Sequence, residues 1–183
     1  MIGNIVAGTF SAGVVPSTTS YESIATVTVG SGGSSTISFT SIPSDYKHLQ
    51  IRMISRNTTN NNQSLALRFN SDSGSNYSYH RLYGFGTGTG ADGSANASLI
   101  LTGTETNTSS TFGTSITDIL DYQNTSKFKT TRSLTGWDNN GDGILFLLSG
   151  NWRSTSAITS ITITPESNSF AQYSHFALYG IKD

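Results

Sequence analysis

The sequence predicts an all-β protein, an antiparallel β-sandwich of jelly-roll-like form with an extended N-terminal arm. Segments in which β-branched and aromatic residues recur with period two alternate with stretches of Ser, Thr, Asn and Gly. No segment sustains the three-and-four apolar spacing of an amphipathic helix. Strands with one apolar side need a second layer to cover it. We therefore expect two facing sheets, with an up-and-down barrel as the alternative.

The arm is predicted over residues 1–20, whose composition differs from that of the following chain. Three glycines interrupt it, and Pro16 followed by a run of Ser and Thr resembles a hinge. The arm is more apolar than a solvated tail usually is, although a frayed terminus is the alternative. We expect it to bind a neighbouring subunit through its apolar residues. These are Ile2, Ile5, Val6, Phe10, Val14 and Val15.

The single sandwich domain is predicted over residues 21–183 and begins with two short strands. Residues 24–29 (IATVTV) and 36–40 (TISFT) are rich in β-branched and aromatic residues, and Gly- and Ser-rich turn clusters separate them. At 183 residues the chain is long enough to bury a core that needs no disulfide. One domain is therefore the simplest organisation.

The clearest alternation lies in the third and fourth predicted strands. In residues 48–55 (HLQIRMIS) the odd positions are apolar and the even positions are polar as far as Arg52. Residues 65–70 (LALRFN) repeat the pattern, with Leu and Phe opposed by Ala, Arg and Asn. One side of each strand is expected to be dry and the other wet, as in antiparallel sheets with one buried face.

The later strands follow from the same signals of period-two apolar residues and intervening turn clusters. Ile161 and Ile163 alternate with threonines near the end of the chain, which repeats the dry and wet pattern. The remaining predicted strands are residues 77–85, 97–101, 115–121, 129–137, 144–149, 158–164 and 175–181.

Composition excludes several classes of partner and chemistry. Charged residues make up 11% of the chain and the net charge is -1, so no broad field would attract nucleic acid or an anionic membrane. The chain contains no cysteine, which rules out disulfides, thiol catalysis and thiolate metal sites. The apolar start lacks a basic leading region and is interrupted by glycines, so neither a signal peptide nor a membrane anchor is expected.

Long polar stretches predict loops that would carry contacts with other molecules, since binding residues are often found on loops of a rigid scaffold. Three such insertions are predicted, at residues 57–64, 86–95 and 103–110.

The stretch DNNGDG at residues 138–143 is similar to the opening of a calcium loop. Asp138, Asn140 and Asp142 would be the metal ligands, and they are the weak candidates for a metal site. However, Ser149 occupies the position where a calcium loop has its bidentate Glu, and the flanking segments have the pattern of strands. A hairpin loop is the favoured interpretation, because Asp, Asn and Gly tolerate left-handed backbone angles.

No constellation of catalytic residues stands out, so we expect neither an enzyme nor a cofactor. Asp118 and Asp121 are the only neighbouring acids, and their odd spacing along one strand would place them on opposite faces. A glycosidase needs two carboxylates across a cleft, and nothing in the sequence selects such a pair. The three histidines, His48, His80 and His175, lie far apart in predicted strands, and surface or edge positions are expected for them.

Aromatic residues could serve either a sandwich core or a sugar-binding platform. Tyr77, Tyr79, Tyr83 and Phe85 fall on one face of a predicted strand together with Arg81. Trp137 and Trp152 lie near loop ends. Core packing is the favoured interpretation.

Several segments together resemble small β-rich virion structural proteins of tailed bacteriophages, the capsid decoration or tail-associated proteins. The resemblance covers nearly all of residues 21–183, and the arm departs from it. The segments that carry it are 21–26 (YESIAT), 41–52 (SIPSDYKHLQIR), 67–72 (LRFNSD), 119–122 (ILDY), 129–134 (KTTRSL) and 176–182 (FALYGIK).

The resemblance implies a capsid decoration or cement protein on the outer surface of a virion. It implies a homotrimer whose partners are the major capsid protein and other virion proteins. In this interpretation the sandwich buries one face against the shell while the arm binds a neighbour. The alternative is a tail-fibre or tail-tip module that binds host-surface glycan through Tyr or Trp side chains.

Overall fold

A computed structural model describes residues 20–58, 63–106 and 108–182. Within these ranges every regular secondary-structure element is a β-strand. The sandwich predicted from the sequence is confirmed at the level of fold class. The twelve strands are β1 Tyr21–Thr28, β2 Ile37–Phe39, β3 His48–Ser55, β4 Gln63–Phe69, β5 Tyr77–Phe85, β6 Gly88–Ala97, β7 Ile100–Glu105, β8 Gly113–Leu120, β9 Lys129–Asp138, β10 Gly143–Trp152, β11 Ile161–Pro165 and β12 His175–Ile181.

The strands form two antiparallel sheets of unequal size. The large sheet has eight strands in the order β1-β12-β3-β8-β9-β10-β5-β6, and the small sheet has four in the order β2-β11-β4-β7. Strand β7 of the small sheet contacts β8, β9, β10 and β5 of the large one. The small sheet therefore covers the inner face of the large sheet, whose opposite face forms the outside of the molecule.

The main core lies between the sheets and follows the predicted alternation. Leu49, Ile51 and Met53 of β3 are buried, as are Ile161 and Ile163 of β11. A second apolar cluster of Leu101, Phe146 and Leu148 lies under β7 at the β10 side of the large sheet.

The predicted strands at residues 48–55, 77–85 and 175–181 are confirmed to the residue as β3, β5 and β12. The predicted loop at 86–95 is wrong, because β6 pairs with β5 along this stretch. Gly86 has a φ of +53° and closes a tight turn between the two strands. Pairing with β5 prevails here over the poor strand propensity of Gly, Asp and Ser.

Other predicted boundaries also shift. The predicted strand at 97–101 spans a break, because β6 ends at Ala97 and β7 begins at Ile100. The predicted loop at 103–110 begins within β7, which runs to Glu105. Of the predicted loop at 57–64, residues 59–62 lie outside the described ranges, and Gln63 starts β4.

The inner face of β8 and β9 carries hydroxyl groups where a sandwich usually has large apolar side chains. The Thr117 hydroxyl lies 2.6 Å from that of Thr102 on β7 and 2.9 Å from that of Ser133 on β9. Ser115 donates to the Thr102 carbonyl at 2.8 Å. All four residues are buried. The cluster is satisfied internally, so it carries no large desolvation cost.

Small residues also let β7 lie close to the large sheet. A Cβ atom at Gly150, on the inner face of β10, would collide with the Ile100 side chain of β7. Within the small sheet, a Cβ at Gly103 would lie 2.9 Å from Leu65 of the neighbouring strand β4. Large side chains on the inner face of β8 and β9 would push β7 away, and this explains why Ser and Thr occupy these positions.

The turn that follows β4 is fixed by two buried aromatic rings. The Tyr77 hydroxyl accepts from the Phe69 backbone N–H at 3.1 Å and donates to the Asp72 carbonyl at 3.0 Å. Trp152 stacks on Tyr77 and donates its indole N–H to the Asp72 carboxylate at 2.7 Å. This hydrogen bond is the main reason that the pKa of Asp72 is lowered.

We predict that T117V destabilises the fold by about 1–2 kcal/mol, because Thr102 and Ser133 stay buried while each loses a hydrogen-bond partner. Urea unfolding measures the change. T130V is the matched control, since Thr130 lies on the outer, exposed side of the adjacent strand β9. Equal stability of T117V and the unmodified protein would contradict a structural role for the hydroxyl cluster.

Burial raises the pKa of Tyr77 to about 12, and the pKa of Tyr46 is also raised to about 12, mainly by burial. An unfolded Tyr ionises near pH 10. The stability that depends on these protonated phenols is present below about pH 10 and is lost as the pH rises towards about 12.

We predict that Y77F lowers the free energy of unfolding at neutral pH by about 1–2 kcal/mol. It should also reduce the loss of stability at alkaline pH, leaving the part that is due to Tyr46. Urea unfolding at about pH 8 and about pH 11 tests both effects. An unchanged alkaline loss in Y77F would show that Tyr77 does not contribute to it.

Candidate interaction surface

The outer face of the large sheet carries a contiguous group of exposed apolar side chains. They come from five of its eight strands, β3, β5, β8, β9 and β10. Their exposed fractions range from 44% to 58%. We call this group the apolar band; it consists of Ile54, Leu82, Ile116, Leu134, Leu145 and Leu147.

Strand register places the band in two rows that run across the strands. In the first row, Ile116 pairs with Leu134, Leu134 with Leu147, and Leu147 with Leu82. The first row therefore forms an unbroken apolar line over β8, β9, β10 and β5. The second row, one pleat further along, consists of Ile54, Thr114, Gly136, Leu145 and Gly84.

The band is large enough to indicate an interaction site. With about half of each large side chain exposed at six positions, it presents on the order of 500 Å² of apolar area, and patches of this size on monomers are often functional. Covering it would contribute roughly 12 kcal/mol at about 25 cal/mol per Å², before any cost of association.

The band is a consequence of how β8 and β9 are built. In β9, Thr131, Ser133 and Thr135 face the interior and are buried, whereas Leu134 faces outwards. In β8, Ile116 likewise faces outwards beside the inward Thr117. The usual inward direction of apolar residues is reversed at these positions, because the space below β7 admits only small side chains.

The second row contains a shallow concavity of about 980 Å³. Gly84 and Gly136 flank Leu145 in this row. The space over Gly84 is open, whereas the Leu145 side chain lies close to Gly136. The band therefore has protruding leucines in its first row and a recess in its second.

A polar row borders the band on the side of the first row. Asp118 accepts from Arg132 and from Gln50, at 2.9 and 2.8 Å. Arg52 donates to Gln50 at 2.9 Å, and its guanidinium lies over the Tyr179 ring. As a result Gln50 is only 9% exposed, although its position in the alternating pattern predicted exposure to solvent. The Arg132 side chain remains 71% exposed, so it is available to a second partner.

The predicted partner-binding residues of the arm cannot be placed, since residues 1–19 lie outside the described ranges. They are Ile2, Ile5, Val6, Phe10, Val14 and Val15.

The candidate calcium stretch forms the hairpin between β9 and β10. Asn140 and Gly141 have positive φ angles, of 63° and 108°. The Asp138 carboxylate accepts from the Asn140 backbone N–H at 2.7 Å, and the Asp142 carbonyl accepts from the Asn139 N–H at 2.7 Å. One Asp138 oxygen is thus already used by the turn. Across the described ranges, no three His, Cys, Asp or Glu side chains lie close enough together to hold a metal ion.

The three histidines singled out from the sequence lie on three different strands, and His48 contacts Asp121. His48 accepts from the Asp121 backbone N–H at 2.9 Å, and His175 contacts the Thr28 hydroxyl at 2.9 Å. His80 is exposed on β5. The prediction that Asp118 and Asp121 share one strand is wrong, because β8 ends at Leu120.

Asp121 occupies the turn that follows β8, with a φ of 47°. Lys127 donates a hydrogen bond to the Asp121 carboxylate, and this bond lowers the pKa of Asp121.

The aromatic residues mainly pack inside, as the sequence predicts. Tyr77, Trp137 and Trp152 are buried, and Tyr83 packs against Phe146 with ring centroids 5.8 Å apart. Phe85, at the end of β5, is the exception, with 51% of its surface exposed.

Sequence reasoning missed the apolar band. One signal was available in residues 144–148 (ILFLL), where five consecutive apolar residues occupy both faces of one strand. In an antiparallel sheet with a solvated outer face, such a run is unexpected. It indicates that large apolar side chains lie on the outer face of the sheet as well as on the inner face.

A scan against protein-family models finds no match for this sequence, and a search of curated proteins finds no significantly similar one. In the part of the chain that the structure describes, no helix is long and apolar enough to cross a membrane.

We predict that a chelator leaves the melting temperature unchanged, because backbone hydrogen bonds already close the 138–143 hairpin. In the same assay D138A should lose about 1 kcal/mol, the usual value of such a side chain to backbone bond, while D142A, whose backbone carbonyl is retained, should lose less. A melting temperature that falls with chelator and recovers with Ca²⁺ would instead support a calcium site.

Proposed function

We propose that this protein is a non-enzymatic structural component of a tailed-bacteriophage virion, a capsid decoration protein that binds the outer surface of the shell and stabilises it. The observation that carries the proposal is the apolar band. A rigid sheet with half-exposed leucines in register is suited to permanent contact with another protein surface.

The character of the scaffold supports the same proposal. Both core clusters and the hydroxyl cluster are satisfied within the chain, without disulfides. A virion protein must remain folded outside the cell for long periods, and a cysteine-free sandwich meets this need. The resemblance described above supplies the link to bacteriophages, and the partners it implies are the major capsid protein and neighbouring virion proteins.

The alternative, a tail-fibre or tail-tip module that binds glycan through Tyr or Trp side chains, loses both of its tryptophans. Trp137 is 6% exposed and Trp152 is 2% exposed, so neither ring is free to stack on a sugar. Trp152 is further held by its hydrogen bond to Asp72. The geometry therefore favours the decoration protein over the glycan-binding module.

We also propose that the sandwich is a relative of the jelly roll. The order of the small sheet, β2-β11-β4-β7, supports this relation, as does the alternation of strands β2 to β8 between the sheets, which is interrupted only by the β5–β6 hairpin. The β9–β10 hairpin would then be an insertion into the large sheet, between β8 and β5. The apolar band is centred on this insertion, which suggests that the hairpin carries the particular function of the protein.

We predict that deletion of residues 1–20 leaves a folded domain that no longer occupies virions, because the arm is the proposed attachment segment. Particles purified on a density gradient and analysed by mass spectrometry should contain the full-length protein in many copies and the truncated one at background level. Far-UV circular dichroism of the truncated protein is the control for folding.

Two results would count against the proposal. Absence of the full-length protein from purified particles would remove the virion assignment. Equal occupancy by the truncated protein would leave the virion assignment in place and overturn the role of the arm.

A further inference from the structure

We infer that the apolar band pairs with the same band of a second copy of this chain, in a two-fold contact in which the two large sheets face each other. The inference rests on the band, as does the proposed function, but it does not depend on the virion. It assigns the second copy to the band itself, so attachment to the shell is left to the arm.

A self-pairing contact follows from the number of apolar patches. Of the large apolar side chains that are exposed in the described ranges, the six of the band are contiguous. The other five lie outside the band: Tyr21, Phe85 and Leu120 at strand ends, and Phe128 and Tyr173 in loops. A ring of three copies needs two different complementary patches on each copy. A two-fold contact needs one self-complementary patch, which is what the described residues provide.

The two rows of the band are complementary to each other. Consider a two-fold axis that lies between the two facing sheets, runs perpendicular to the strands and passes midway between the two rows. Each strand then lies antiparallel over the same strand of the second copy. The first row of one molecule therefore lies over the second row of the other. On β9 this places Leu134 over Gly136 of the second copy.

The same axis gives matching contacts on the neighbouring strands. On β5, Leu82 lies over Gly84 of the second copy. The space over Gly84 is open, because a Cβ atom built there would meet nothing within 4 Å. On β10, Leu147 lies over Leu145 of the second copy. Leu82 therefore faces open space and Leu147 packs on another leucine, and on β9 and β5 each leucine meets a glycine rather than a second large side chain.

Charge supports this arrangement. On the outer face of β9, Arg132 and Asp138 lie at equal distances on either side of the axis, three residues from its position at Thr135. Arg132 of one molecule therefore faces Asp138 of the other, twice in the pair. Both residues are exposed in the single chain. Opposite charges at the two ends of an apolar strip fix the register of two surfaces.

The area is adequate for a stable pair. The band and the polar rows that border it would bring the contribution of each molecule to roughly 800 Å², the size of a standard protein–protein contact. Facing sheets pack about 10 Å apart, a gap that two layers of leucine side chains fill. A two-fold contact predicts an even number of copies, in contrast to the trimer implied by the resemblance.

Engineered disulfides test the contact and its register on the full-length protein, which has no native cysteine. The variant R132C/D138C should form a covalent dimer under mild oxidation, seen on a non-reducing gel. The two positions lie about 20 Å apart on one strand, too far for a bond within one chain. The single variants R132C and D138C should not cross-link, because each cysteine would face the other position.

Light scattering of the purified protein tests the role of the leucines. The unmodified protein should have about twice the mass of one 19.4 kDa chain. L134Q and L147Q should weaken the pair at least about tenfold, since each places a polar amide in the contact. F128Q is the matched control, because Phe128 is also half-exposed but lies outside the band.

The outcomes separate this inference from the proposed function. A monomer or a trimer of the unmodified protein, or a dimer that the leucine variants leave intact, would overturn the inference. So would cross-linking of the single variants equal to that of the double variant. A dimer that meets every expectation, with no protein found in virions, would overturn the proposed function and leave the inference in place.

Discussion

The close packing of β7 on the large sheet is the constraint from which the other features follow. Thr102 of β7 bonds to Thr117 and Ser133, and the Ile100 side chain lies against Gly150. These contacts exclude large side chains from the inner positions directly below β7, at Ser115, Thr117 and Ser133, whereas Ile119 and Trp137 are buried further along the same faces. Hydroxyl groups suit this space because each can bond its neighbours across the narrow gap, and buried polar groups are tolerated only when they have such partners.

The constraint has a consequence for the opposite face. When small hydroxyl residues fill the inner positions of a strand, its large apolar residues are left on the outer positions. Leu134 and Ile116 are in this situation. β10 carries apolar residues on both faces, because its inner side chains Phe146 and Leu148 fill the second core while Leu145 and Leu147 lie outside. The close packing of β7 on the inner face of the large sheet thus leads to an apolar surface on its outer face.

The parts of the fold that could be predicted from sequence are those where one face of a strand is buried and the other is exposed to solvent. Residues 48–55 show this alternation clearly, and β3 has these bounds in the structure. β6 could not be predicted, because its Gly, Ala, Asp and Ser residues have no preference for strands, and only its partner β5 holds it in place. Local sequence cannot report a pairing of this kind.

The band could not be predicted for a related reason. Thr and Ser are common on both faces of strands, so a sequence such as TTRSLTGW does not tell which face of β9 is inside. A rule that apolar residues point inwards would have placed Leu134 in the core. Only the position of β7, which is set by contacts distant in sequence, decides the direction. The continuous apolar run of β10 was the one local sign that both faces of the large sheet carry large apolar side chains.

A two-fold pairing of the large sheets would also bear on attachment. The axis crosses the strands, so each strand of one molecule lies over the same strand of the other. β1 is an edge strand of the large sheet, and both copies of β1 would therefore lie along the same edge of the pair. The chain enters β1 at Tyr21, directly after the predicted arm. Two arms that leave from one edge can bind one surface together, and a second attachment made within the same complex gains from a high effective concentration. Weak individual contacts of an uncharged segment would then suffice for lasting attachment, while the apolar band is spent on joining the two molecules.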